Sequence, residues 1–207
     1  ATIKDTSITV VPDTVRSFTV SATDIVAKNT ANIPVTVTTP NDGDSTVTID
    51  SDAISATSGF IVSGNSNTTL TSGASADTIT IDSDGNTTAS TGLGNDVLHI
   101  VGSGNATIDV SKGNDTVTTG SGNDTITIGS GDFGASDVIS AGTGTDKVII
   151  SGDGNQVSNV AQLGGVEVLE LAGTKVTLTD AAVNLLLGDD HSLTTITGSS
   201  DTSEVTF

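Results

Sequence analysis

The sequence predicts an all-β protein: a right-handed parallel β-roll, or β-solenoid, with glycine-rich turns and small β caps at its ends. Three observations lead there. A nine-residue pattern of glycines, Asn or Asp, and one aliphatic residue recurs through the middle of the chain. The side chains available for a core are Val, Ile, Leu and Ala, because Trp, Tyr, Met and Cys are missing and only Phe18, Phe60, Phe133 and Phe207 are aromatic. Broad cores are normally filled by large aromatics, so this core must be narrow. The rest is dominated by Thr, Ser, Gly, Asp and Asn, which suit strands and turns rather than long helices.

The repeat justifies the central element. Aligned on Gly-Asn-Asp, successive copies read SGNSNTTLT (63–71), SGASADTIT (72–80), DSDGNTTAS (82–90), TGLGNDVLH (91–99), VGSGNATID (101–109), VSKGNDTVT (110–118) and TGSGNDTIT (119–127). After a four-residue insertion come DFGASDVIS (132–140), AGTGTDKVI (141–149) and SGDGNQVSN (151–159). Single residues, Ile81, Ile100 and Ile150, stand between copies. Glycines come early in each copy, Asp or a substitute sits sixth, and an aliphatic residue usually sits eighth. The eighth positions are Leu70, Ile79, Ala89, Leu98, Ile108, Val117, Ile126, Ile139, Val148 and Ser158. Alternation about this position marks a short strand with one side chain turned inward. The glycines before it then form a tight turn, where positive φ is tolerated. Two strands and two turns close one coil in 18 or 19 residues, and coils stack about 4.8 Å apart.

The ends are read separately. Residues 1–41 lack the repeat but alternate as strands over Ile3–Val11, Val15–Ser21 and Ile33–Thr38. They form an N-terminal β segment: a cap, a small β domain, or a strand lent to a neighbouring subunit. Residues 42–159 are the roll. Residues 160–207 keep a nine-residue beat at Val160, Leu169, Leu178, Leu187, Ile196 and Val205 and form a C-terminal solenoid cap, with a short helix from Asp180 to Gly188.

Charge narrows the function. Acidic residues number 25 against 6 basic, for a formal charge of -19. That sign opposes nucleic acid and an anionic membrane surface. No run of 18 apolar residues occurs, so no spanning helix is expected. Mean hydropathy of +0.10 opposes disorder. Cation binding is the sharp explanation for so many unbalanced Asp. Calcium takes six to eight hard oxygen ligands, and a glycine turn followed by Asp supplies carbonyls and a carboxylate. Catalytic signatures are missing: no Cys nucleophile, no H-E-x-x-H and no G-x-S-x-G. His99 falls at a ninth position, outward on a strand, and His191 in an acidic loop. The sequence is read as non-enzymatic. The Asn-x-Thr triplets at Asn67, Asn86, Asn105, Asn114 and Asn123 follow the repeat frame and do not argue for glycosylation. The clusters Asp42-Gly43-Asp44, Asp50-Ser51-Asp52 and Asp82-Ser83-Asp84-Gly85 read as solvated turns.

The pieces GLGNDVL, KGNDTVT, GSGNDTIT and GTGTDKV, all within 91–149, resemble the RTX (hemolysin-type) nonapeptide G-G-x-G-x-D-x-U-x. The chain departs from it where the double glycine becomes Thr-Gly or Ser-Gly, and where Thr68, Thr87, Ala106 or Gln156 replaces the sixth-position Asp. The resemblance implies Ca2+ between turns one coil apart on the same edge, pairing Asp77 with Asp96, Asp96 with Asp115, Asp115 with Asp137, and Asp124 with Asp146. The implied metal residues are Asp77, Gly92, Gly94, Asp96, Gly113, Asp115, Gly120, Gly122, Asp124, Asp137, Gly142, Gly144 and Asp146. One edge is then rich in calcium, and the other binds only near Asp124 and Asp146. The expected setting is extracellular, on a bacterial cell surface or secreted. The expected role is structural: a calcium-folded homo-oligomer or self-assembling chain of a surface layer, matrix or filament. The alternatives are an adhesin module, with a cell-surface polysaccharide as partner, and the calcium-folded secretion module of an exported type I secretion substrate.

Overall fold

The computed structural model describes residues 7–9, 17–20, 35–38, 46–50, 59–65, 67–74, 76–129, 132–134, 136–152, 162–172, 175–177, 195–198 and 204–206. Among them every regular element but one short turn of helix at Gln162 is a strand, and every strand pairing is parallel. The alternating β-branched and hydroxyl residues fit this outcome, since they pack well on a pleated surface.

The strands fall into two stacked sheets. The first contains β1 (Ser7–Thr9), β3 (Val35–Thr38), β5 (Gly59–Ser63), β7 (Thr78–Asp82), β9 (Val97–Val101), β11 (Thr116–Thr118), β13 (Val138–Ser140) and β15 (Leu163–Gly164), in that order. The second contains β2 (Ser17–Val20), β4 (Thr46–Asp50), β6 (Asn67–Thr71), β8 (Thr87–Ser90), β10 (Ala106–Val110), β12 (Thr125–Ile128), β14 (Lys147–Ser151), β16 (Val168–Ala172) and β18 (Thr195–Gly198). The chain therefore alternates between sheets, strand by strand, and each pair of strands makes one coil of a parallel β-solenoid. A separate two-stranded sheet joins β17 (Lys175–Thr177) to β19 (Glu204–Thr206).

Register follows the repeat. Ile79 pairs with Leu98, and Leu98 with Val117, so two copies of the repeat close each coil. Ile108 pairs with Ile126, and Ile126 with Val148 across the insertion. The expected eighth-position residues from Leu70 to Val148 are all buried, and they form two facing aliphatic ladders. Ser158 lies outside the described residues. The structure adds a second inward position. Ile81 and Ile100, which stand between repeats in the sequence, are buried two residues beyond the ladder, and so are Val110, Ile128 and Ile150. Strands thus reach five residues where the repeat alone suggests three. The insertion lengthens one coil enough to bury Phe133, the aromatic member of the described core.

The ends join the same architecture. Strands β1, β2 and β3 fall within the three windows expected before residue 42, and they extend the two sheets. On the C-terminal side Leu169 is buried and pairs with Ile196, three beats further along the chain, and Val205 pairs with Val176 in the small sheet. Val160, Leu178, Leu187 and the helix expected over 180–188 lie outside the described residues.

Candidate metal centre

The turns put the sixth-position carboxylates into two columns, one on each edge of the solenoid. Ahead of the first sheet's strands stand Asp77, Asp96, Asp115 and Asp137, all buried. The backbone N–H of Asp77 donates to Asp96 Oδ1 at 2.7 Å, that of Asp96 to Asp115 Oδ1 at 2.8 Å, and that of Asp115 to Asp137 Oδ1 at 2.6 Å. On the opposite edge Ala106 N–H donates to Asp124 Oδ1 at 2.7 Å, and Asp124 N–H to Asp146 Oδ1 at 2.7 Å. All four carboxylate pairs read from the sequence are therefore direct neighbours. The sixth-position column on the second edge is acidic only from Asp124 onward, because Thr68, Thr87 and Ala106 occupy the earlier positions.

One oxygen of Asp96, Asp115, Asp137, Asp124 and Asp146 is thus spent on the neighbouring coil. The other behaves differently along the column. Asp77 Oδ2 accepts from Gly73 N–H at 3.2 Å, and Asp137 Oδ2 from Gly134 N–H at 2.6 Å. Oδ2 of Asp96, Asp115, Asp124 and Asp146 is buried with no hydrogen-bond partner. Buried carboxylate oxygens without a donor are costly, because nothing replaces their lost hydration. The titration of these groups reflects that. Burial pushes Asp96 up to about 7, the N–H of Asp77 opposes the shift, and the charges of Asp115 and Asp77 add to it. Burial raises Asp115 to about 6, with Asp137 and Asp132 adding to it. Burial likewise raises Asp146 to about 6, with Asp124 and Glu167 adding to it.

The predicted glycines line the same turns. Gly92 and Gly142 have φ of 78°, the left-handed conformation expected of them. A second cause acts at Gly113, Gly120, Gly122 and Gly144. A Cβ there would overlap the carbonyl oxygen of Gly94, Gly102, Gly104 or Gly122 in the preceding coil. Turn carbonyls therefore face the next coil at close range. Those of Gly73, Gly102 and Gly120 each accept an N–H from it, at 3.0, 2.9 and 3.0 Å. A carbonyl has two lone pairs, so these bonds leave acceptor capacity at Gly73 and Gly120, while Gly102 also accepts from Ser121 Oγ at 3.3 Å.

Two features escaped the sequence reading. Glu167 continues the second column, accepting Asp146 N–H on Oε2 at 2.7 Å. The fifth-position asparagines form a ladder of their own outside the carboxylates. Asn86 N–H donates to Asn67 Oδ1, Asn105 N–H to Asn86 Oδ1 and Asn123 N–H to Asn105 Oδ1, at 2.8–3.0 Å. On the other edge Asn114 N–H donates to Asn95 Oδ1 at 2.9 Å. His99 is exposed on β9, away from both columns.

Every donor along the two columns is a hard oxygen, which suits calcium or magnesium and no soft metal. Among the described residues no three carboxylate or imidazole side chains converge on a point. A cation held here would take one or two carboxylate oxygens and complete its shell with turn carbonyls. Comparison with protein-family models, with curated proteins and with solved structures finds no match to this chain.

Proposed function

We propose that this chain is a non-enzymatic, extracellular structural protein that folds on calcium and assembles into a surface layer, matrix or filament. The observation that carries the reading is the pair of carboxylate columns, with the orphaned Oδ2 of Asp96, Asp115, Asp124 and Asp146. A chain of net charge -19 stacks acids one coil apart without a compensating Lys or Arg. In the described region the one ion pair is Lys147 Nζ to Glu170 Oε2 at 3.3 Å, which lies outside the columns. A divalent cation between coils satisfies the orphaned oxygens and cancels the repulsion. Asp77, Asp96, Asp115 and Asp137 would hold it on one edge, and Asp124 and Asp146 on the other, with carbonyls of the adjoining glycine turns.

Extracellular calcium is millimolar, matching the weak affinity of extracellular modules. Metal affinity then becomes folding free energy, so the chain stays open until it meets calcium. The structural role is supported by the solenoid itself, in which, among the described residues, the terminal strands of each sheet pair on one side alone, an edge to which a further strand can add. Electron microscopy of the purified chain tests the assembly. Regular layers or filaments are expected in millimolar calcium, dispersing on chelation. A monodisperse folded monomer under those conditions contradicts the role.

A further inference from the structure

We propose that the outward face of the first sheet is a contact surface for a second copy of this chain. The proposal rests on the self-assembly reading above and names the surface through which copies meet. The two outward faces differ sharply. Ile61, Val97, Val101 and Val138 are each 40–42 % exposed, and all four project from the first sheet. On the second sheet the described large outward apolar side chains, Ile149 and Val168, are half-buried, and they stand among Asp109, Lys147 and Glu170. Register aligns two of these groups: Val97 pairs with Thr116, and Thr116 with Val138, in one β-branched column, while Ile61 pairs with Thr80 and Val101 with Asp82. Among described residues of this face only Asp82 and His99 can carry charge.

Charge selects the occupant. Two copies of net charge -19 repel one another wherever their acidic surfaces approach. A basic partner would be drawn to those acidic surfaces; a second copy can meet the first only where charge is nearly absent. Shape agrees. Seven steps of about 4.8 Å from β1 to β15, with strands of about 10–17 Å, give a strip roughly 34 Å long. Two such strips bury on the order of 1,000 Å², the lower bound for a specific contact. Parallel columns of Val, Ile and Thr can interdigitate as they do between packed sheets. A face that meets itself closes into a pair, so this contact joins solenoids side by side and leaves their ends free for further growth.

Sedimentation of the full chain in millimolar calcium tests the proposal, comparing wild type with Val97→Lys/Val138→Lys and with Thr88→Lys/Thr107→Lys on the opposite sheet. Wild type and the Thr variant are expected to associate alike, and the Val variant to dissociate at concentrations at least about tenfold higher, roughly the shift that 1.4 kcal/mol produces. Circular dichroism checks that each variant folds. Should the Lys pair prevent folding, Val97→Thr/Val138→Thr keeps the strand shape and must still weaken association. If wild type associates and neither Val variant changes that, this face is not the contact, although assembly stands. If wild type stays a folded monomer, both the face and the assembly reading fall.

Discussion

At the scale of single residues, each carboxylate of Asp96, Asp115, Asp124 and Asp146 does two opposed things. Its Oδ1 satisfies a backbone N–H of the neighbouring coil, and its Oδ2 and charge are buried at a cost. Substitution separates the two. Asp115→Ala leaves Asp96 N–H unpaired and is expected to destabilise the calcium-folded chain by about 1–3 kcal/mol in urea. Asp115→Asn keeps an acceptor and removes the charge. It should raise stability in chelator near neutral pH and blunt the stabilisation that calcium confers. If Asn and Ala behave alike in chelator, the charge is not what limits the metal-free fold. Acid makes the same point by another route. Asp96, Asp115 and Asp146 have their titration raised from 3.8 to about 7, 6 and 6. Between about pH 4 and 7 the folded chain therefore binds more protons than the unfolded chain, and its stability falls as pH rises. In chelator the far-UV β signal should therefore grow as pH is lowered through that window. A β signal in chelator that grows as pH rises would show that these carboxylates are not buried as described.

At the scale of strands and turns, stability depends on how closely coils approach. Ile126→Ala opens a cavity in a fully buried ladder and should cost about 2–5 kcal/mol. Gly113→Ala places a Cβ on the Gly94 carbonyl, forces the coils apart and adds strain of about 1–3 kcal/mol. The outward Thr107→Ala serves as control and should stay within about 0.5 kcal/mol. Urea unfolding ranks all three, and a silent Gly113→Ala would contradict the coil spacing. Much at this scale was legible in the sequence, because one rigid repeat fixes both ladders at once. The frame that marks Leu98 and Val117 as inward also marks Asp96 and Asp115 as neighbours. Ile81, Ile100 and Ile150 were harder, because a nine-residue template ends just before them; they read as interruptions although they extend the core. Glu167 gave no signal, since it follows no Gly-Asn pair and its reach comes from an extra methylene. The asparagines at 67, 86, 105 and 123 were visible as a period, but a period does not say that an amide spans to the next coil. Before residue 42 the strands alternate recognisably, yet the coils there are irregular: Ile8 pairs with Val37, and Val37 with Val62, so successive coils are longer than the repeat and differ in length from each other. No fixed period could assign those strands to the two sheets.

At the scale of the whole molecule, the solenoid is a one-dimensional stack in which each coil touches only its neighbours. Cooperativity must pass along the carboxylate and aliphatic columns. Amide hydrogen exchange should accordingly be slowest in β9 to β12, where both columns run through adjoining coils, and faster toward each end. Uniform protection along the chain would contradict a nearest-neighbour stack. The acidic columns also make one cation at each step the natural partner for a chain that is otherwise short of positive charge. That claim is tested most directly by titrating calcium into chelator-treated protein at neutral pH while following far-UV circular dichroism. The account predicts a cooperative passage from coil to β signal in the millimolar range. A chain that is already rich in β structure in chelator, and indifferent to calcium, would contradict it.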